Sequence, residues 1–223
     1  TIPLLVLVVL AAAALIRRRP TVHEAFLILP VLALLGVSCL ARTNLGLRRI
    51  LPAFPFLFVL AGGLARDLWR PRALRALPWA LAGLHALSSL AVFPDYLTYF
   101  NAAAGGPRGG RYALDDSNLD WGQDLKGLKR YVELRKPGTI KLDYYGSLSP
   151  KAYGIPYVKI APEELGAPRK GIVYAVSVHY LIRAGRFKAE LDRGGNLTLD
   201  YGWLDRYAPK DVIGNTIYLF EFR

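Results

Sequence analysis

Four carboxylates, two amides, a hydroxyl and an indole fall within ten residues, Asp115-Asp116-Ser117-Asn118-Leu119-Asp120-Trp121-Gly122-Gln123-Asp124. Carboxylates and amides hydrogen-bond hydroxyl groups, and an indole offers an apolar face for stacking, a combination that suits a sugar. Asp116, Asn118, Asp120, Trp121 and Gln123 are therefore the candidate residues for a sugar or an acceptor. Helix capping is the competing reading, because Ser117 or Asp120 can accept from the free amides of a helix start and acids suit its positive end. A second group is Arg42, Asn44, Arg48 and Arg49, which follow an apolar run. Guanidinium forks match phosphate oxygens in pairs, so these four are candidates to hold the phosphate of a lipid-linked substrate. Ordinary snorkelling of interfacial arginines toward lipid phosphates is the alternative there.

Other chemistries lack their residues. The chain of 223 residues has one cysteine and three histidines, with no zinc-ligand spacing, and the acidic loop lacks the spacing of a calcium-binding hand. Neither a metal nor a cofactor is expected. There is no phosphate-binding glycine loop, dinucleotide fingerprint, nucleophile elbow or HExxH. The formal charge of +12 raises the question of nucleic acid. Much of the excess lies on arginines that flank apolar runs, where charge sets membrane topology, so no nucleic-acid partner is expected.

These residues are carried by two unlike halves. Residues 1–93 hold ten arginines but only two acids, Glu24 and Asp67, whereas all thirteen tyrosines and every lysine come later. Four apolar segments, residues 2–16, 22–40, 50–65 and 77–93, each approach the ~30 Å of a hydrocarbon core. The expected fold is an α-helical polytopic membrane region of four transmembrane helices, followed by a small α/β extracytoplasmic domain. Arg17, Arg18 and Arg19, and then Arg66, Arg70, Arg72 and Arg75, mark two cytoplasmic loops on that reading, which leaves the C-terminal domain outside. Arg42, Arg48 and Arg49 then fall on the disfavoured side, which is why they are of interest. Pro20, Thr21 and Glu24 read as a helix start with a capping box.

Residues 94–110 read as an interfacial helix and a glycine-rich hinge, and residues 111–223 as the soluble α/β domain. Within it, residues 111–114 read as a short strand, and residues 123–135 as an amphipathic helix with Leu125, Leu128 and Val132 inward. Residues 139–145 alternate as a strand, and the apolar run 171–178 suits a central strand buried on both faces. Residues 180–192 read as a helix and 215–222 as a closing strand. Ligands of open α/β sheets bind beyond the carboxyl ends of strands. The acidic loop, Tyr145-Gly146-Ser147 and Ser177-Val178-His179 would share that edge if their three strands ran parallel.

Three strings also carry a family resemblance: residues 44–52 (NLGLRRILP), residues 94–101 (PDYLTYFN) and above all residues 116–125 (DSNLDWGQDL). The chain resembles the C-terminal part of bacterial family-39-type membrane glycosyltransferases, the dolichyl-phosphate-mannose-protein mannosyltransferase-like branch of the GT-C superfamily. The resemblance implies transfer of a sugar from a polyprenyl-phosphate carrier to a glycan, lipid or protein acceptor. It also implies a multi-pass protein of the bacterial cytoplasmic membrane, with this C-terminal domain on the periplasmic or extracellular side. In that superfamily the catalytic carboxylate lies in the first extracytoplasmic loop, which no segment here matches. No catalytic residue is expected in this chain, and by itself it is expected to be inactive. A non-enzymatic, membrane-anchored envelope domain that binds glycan or a protein partner is the alternative.

Overall fold

The structure is a computed structural model that describes residues 1–17, 20–41, 46–68, 75–115, 118–183 and 201–222. The chain divides into two compact units, Thr1–Tyr96 and Leu97–Arg223.

The first unit is built from helices α1 (Ile2–Arg17), α2 (Val22–Leu40), α3 (Phe54–Leu68) and α4 (Leu77–Leu90). Thr21 caps α2 through a reciprocal pair: the Glu24 amide donates to Thr21 Oγ1 at 3.3 Å, and the Thr21 amide donates to Glu24 Oε2 at 2.9 Å. Two of the four free amides at the helix start are thereby satisfied. Among the described residues, α2 is the one helix long and apolar enough to cross a membrane, judged by length and composition. Little of it is buried, and Phe26, Leu29, Leu32, Val37 and Leu40 are exposed along it, unlike the core helix of a soluble domain.

The expectation of four transmembrane helices is therefore corrected. At 1.5 Å per residue, the 14 residues of α4 span only ~21 Å, and the 15 of α3 only ~22 Å, against a hydrocarbon core of ~30 Å. Apolar composition runs further than helical geometry. In the third segment, Leu51–Ala53 forms a tighter 3-10 turn, with Pro52 inside it, before α3 begins. In the fourth, the helix stops at Leu90 and the apolar residues 91–93 continue as turns. With α2 as the candidate span, three arginines precede it (Arg17, Arg18, Arg19) and three follow (Arg42, Arg48, Arg49), so local charge sets no orientation.

The second unit contains a mixed four-stranded sheet in the order β1-β2-β4-β3, from β1 (Ile140–Asp143), β2 (Val173–Ser177), β3 (Asp211–Ile213) and β4 (Ile217–Glu221). β1 and β2 are parallel, with Ile140 opposite Val173 and Asp143 opposite Val176. β4 runs antiparallel to both β2 and β3. All five residues of β2 are buried, which is why that strand reads as an unbroken apolar run. The pleat sends Val173 and Ala175 to one face, where Leu125, Leu128 and Tyr131 of helix α6 (Leu125–Arg135) join them. Tyr174 and Val176 go to the other face, against Val178 and Leu181 of helix α7 (Val178–Arg183), Tyr201 and Leu204.

Two local expectations also change. Residues 111–114 form no strand: Gly110–Tyr112 is a 3-10 turn. The glycines expected to form a hinge lie in the second unit, where Gly106–Gly109 is one short helical turn, α5. A Cβ on Gly110 would overlap the Phe100 ring, so the glycine there permits close packing. The helix expected over 180–192 begins at Val178, and its second half lies outside the described residues.

Candidate functional site

Because β1 and β2 are parallel, their carboxyl ends emerge together, and Tyr144, Tyr145, Ser177 and His179 stand at one edge of the sheet. The acidic loop is fastened there. The Tyr144 hydroxyl donates to the Gly122 carbonyl at 2.8 Å, and the Tyr145 amide donates to Ser177 Oγ at 3.0 Å. Asp115 at the start of the loop meets His179 Nδ1 at 3.1 Å through Oδ1 and accepts from Arg183 Nε at 2.9 Å through Oδ2. The Tyr145 and His179 rings stack with centroids 3.7 Å apart and planes 15° from parallel, and Tyr180 closes edge-on against both. An aromatic wall and a hydrogen-bonding loop thus share one edge.

Asp120 lies at the centre of this edge. Its Oδ1 accepts from the Gly122 amide at 2.8 Å, which closes an Asx turn. The residue is 1% exposed, and its Oδ2 is buried with no hydrogen-bond partner. Burial pushes its carboxyl up to about 6, assisted by the charge of Asp115 and opposed by the Gly122 amide, the Ser177 hydroxyl and the His179 ring. Burial likewise pushes the Tyr144 phenol up to about 12, with the charge of Asp120 adding to the effect. Trp121, next in sequence, is 56% exposed, so it presents apolar surface to solvent beside a buried acid.

The remaining loop residues are placed as follows. The exposed Gln123 stitches the loop to itself, accepting from the Trp121 amide at 2.8 Å and donating to the Leu119 carbonyl at 3.1 Å. Asn118 Nδ2 donates to the Asp115 carbonyl at 3.3 Å. Asp124 sits at the N-cap of α6 without making a cap bond; it accepts instead from the Thr216 hydroxyl at 2.5 Å, tying the loop to the β3–β4 turn. Side-chain capping of α6 by Asp124 or Asp120 therefore does not account for the acids of this loop. Asp116 lies outside the described residues, as do Arg42 and Asn44. Arg48 and Arg49 belong to the first unit, on a 3-10 turn, Gly46–Arg49, with Arg48 exposed and Arg49 half-buried. No group of acids, histidines and cysteines among the described residues could hold a metal ion.

Gly122 makes the loop's geometry possible. Its φ of +75° is left-handed, and a Cβ there would overlap the Tyr144 hydroxyl. Gly122→Ala combines a conformational cost of ~1–2 kcal/mol with that steric clash, so the second unit is expected to lose about 2 kcal/mol of stability or more. Thermal unfolding monitored by near-ultraviolet circular dichroism measures this, and an unchanged melting temperature would exclude the tight Gly122–Tyr144 approach.

Sequence reasoning brought the acidic loop and His179 to one edge only on the condition of three parallel strands, and it missed Arg183 and the direct bonds of Asp115 to His179 and Arg183, 64 and 68 residues away. The one signal available was that His179 follows the apolar strand by two positions, at the edge where ligands gather. No protein-family model matches the chain, and neither a curated protein nor a solved structure does so.

Proposed function

We propose that the chain works as part of a membrane glycosyltransferase, which takes a sugar from a polyprenyl-phosphate carrier and passes it to an acceptor outside a bacterial cytoplasmic membrane. Within it, Leu97–Arg223 holds the sugar or the acceptor, and the first unit, with α2 as its candidate span, associates with the bilayer and the carrier. The observation that supports the ligand site is the pairing of a buried, unpartnered Asp120 oxygen with an exposed Trp121 at the shared carboxyl end of β1 and β2. A fold-stabilising loop gains nothing from either feature, whereas a sugar uses both: hydroxyls toward the carboxylate and an apolar ring face toward the indole. The residue strings at 44–52, 94–101 and 116–125 support the wider enzymatic reading.

In the transfer, an acceptor hydroxyl attacks the anomeric carbon as the bond to the carrier phosphate breaks. The hydroxyl proton goes to a general base, and the phosphate leaves with its charge stabilised by cations. Arg42, Arg48, Arg49 and Asn44 are the proposed phosphate contacts. The test is transfer from polyprenyl-phosphate-linked sugars in membranes that contain the full-length protein. Trp121→Ala is expected to lower transfer about tenfold, equivalent to ~1.4 kcal/mol of lost contact, while leaving the amount of folded protein unchanged. Unchanged transfer would remove Trp121 from the site. Glycan binding without any transfer would favour an anchored, non-enzymatic binding domain.

A further inference from the structure

Nothing in the fold requires residue 120 to be an acid. Its structural duty is the Asx turn, in which Oδ1 accepts from the Gly122 amide at 2.8 Å, and an asparagine carbonyl makes that bond equally well. Asparagine would also bury no charge. The acid instead places a second oxygen, Oδ2, in the interior, where it makes no hydrogen bond. Buried polar atoms are nearly always satisfied, and each exception needs a reason.

The surroundings support an ionised acid only in part, because the Ser177 hydroxyl and the His179 ring favour it and burial outweighs them both. On the loop, Asp115 and Asp124 are acids, and Asp124 is bonded to Thr216. From the end of β1, the Tyr144 hydroxyl is committed to the Gly122 carbonyl. From the end of β2 the Ser177 hydroxyl faces the carboxyl and accepts from the Tyr145 amide, and from α7 the His179 ring and the Arg183 guanidinium make their hydrogen bonds to Asp115. No cation forms an ion pair with Asp120 among the described residues, so a buried salt bridge does not explain the acid.

We propose that Oδ2 of Asp120 is the ligand anchor of the second unit, accepting a hydrogen bond from a hydroxyl or amino group of a sugar. The proposal rests on the reading of this loop as a sugar site, and it narrows the ligand's chemistry. The group that reaches Oδ2 must be a donor, neutral or cationic, because Asp115 and Asp120 repel a phosphate or a carboxylate. The unit therefore takes the hydroxylated part of its ligand and leaves the phosphate of a carrier elsewhere. Since Oδ2 is covered, binding displaces the outer part of the loop, where Trp121 stands exposed.

The test compares the wild-type full chain in detergent micelles with Asp120→Asn and Asp120→Ala. The probes are the methyl glycosides of glucose, mannose and galactose, with affinities from saturation-transfer NMR and stability from thermal unfolding. Asp120→Asn keeps the turn and removes the Oδ2 acceptor. It is expected to melt no lower than wild type at neutral pH and to bind its preferred glycoside about tenfold to a hundredfold more weakly, the loss expected for one hydrogen bond to a charged group. Asp120→Ala is expected to lose both the turn and the binding. Equal binding by wild type and Asp120→Asn overturns the anchor and leaves the sugar site standing. Asp120→Asn melting as low as Asp120→Ala also overturns it, since the carboxylate would then serve the fold. A wild-type chain that binds none of the glycosides overturns the sugar reading and the anchor together, a pattern distinct from either of the others.

Discussion

Glu164→Gln is expected to destabilise the second unit by about 3–5 kcal/mol, the penalty for leaving a buried charge without its partner. Lys141 lies on β1 between two core residues, Ile140 and Leu142, with its side chain 11% exposed. Its Nζ donates to Oε2 of Glu164, whose side chain is 3% exposed, on a 3-10 turn that spans Pro162–Glu164. Arg169 Nε lies 3.1 Å from Oε1 as a second counter-charge, but from the surface. Glutamine keeps the shape and removes the charge that Lys141 needs. Burial alone would raise the Glu164 carboxyl. The Lys141 bond, the Ala161 amide and the charges of Lys141 and Arg169 outweigh it and hold the group below the usual carboxylate range. Since the folded value is depressed, the pair's contribution is present above the ordinary glutamate pKa and is lost as pH falls through the lowered one. Urea unfolding of wild type and Glu164→Gln at neutral pH measures the difference. A loss under about 1 kcal/mol, the range of surface pairs, would contradict a buried pair.

The second large effect has the opposite sign. Asp120 is raised from an ordinary 3.8 to about 6, so the folded state binds its proton more tightly than the unfolded chain does. Its ionisation is thus a burden on the fold above pH 6, and the burden is lifted as pH falls from about 6 toward 3.8. A shift of this size is worth ~3 kcal/mol, and the acid's near-complete burial leaves little solvent to screen it. Asp120→Asn is expected to be more stable than wild type at pH 7 by up to ~3 kcal/mol, with the difference closing by about pH 4. Melting temperatures of both proteins across that range decide the point. A parallel pair of curves would mean that Asp120 has no raised carboxyl. Wild type, with Glu164 pulling one way and Asp120 the other, is expected to have a flatter acid profile than either variant.

The elements most legible from sequence were those whose own residues determine them. β2 shows as an apolar run because both of its faces are covered, and α6 shows through Leu125 and Leu128 at helical spacing. The capping box of α2 is complete in Thr21 and Glu24. What failed was inference from composition to geometry. Apolar windows at 50–65 and 77–93 looked like spans because hydropathy does not register where Pro52 tightens a helix start or where α4 gives way to turns after Leu90. β3 is three residues long with an exposed Asp211, too short for alternation to reveal it. At the site, the loop's acids were evident but their roles were not. Gln123 looked like a ligand residue and also braces the loop, Asp120 offered a helix cap and instead closes a turn onto Gly122, and the ties from His179 and Arg183 to Asp115 depend on chain folding alone. The unpartnered state of Asp120 Oδ2 depends on burial, which no local pattern encodes.

The central claim, that the loop at the end of β1 and β2 binds a sugar, is tested most directly at Trp121. The chain has four tryptophans, so the indole N–H signals of the full chain in micelles are few enough to assign by substitution. On titration with the methyl glycosides of glucose, mannose and galactose, the Trp121 indole signal is expected to shift in a saturable way. The Trp203 signal, whose Nε1 is buried, is expected to stay in place. A Trp121 signal that does not move with any of the three, or that moves no more than that of Trp203, would contradict the account.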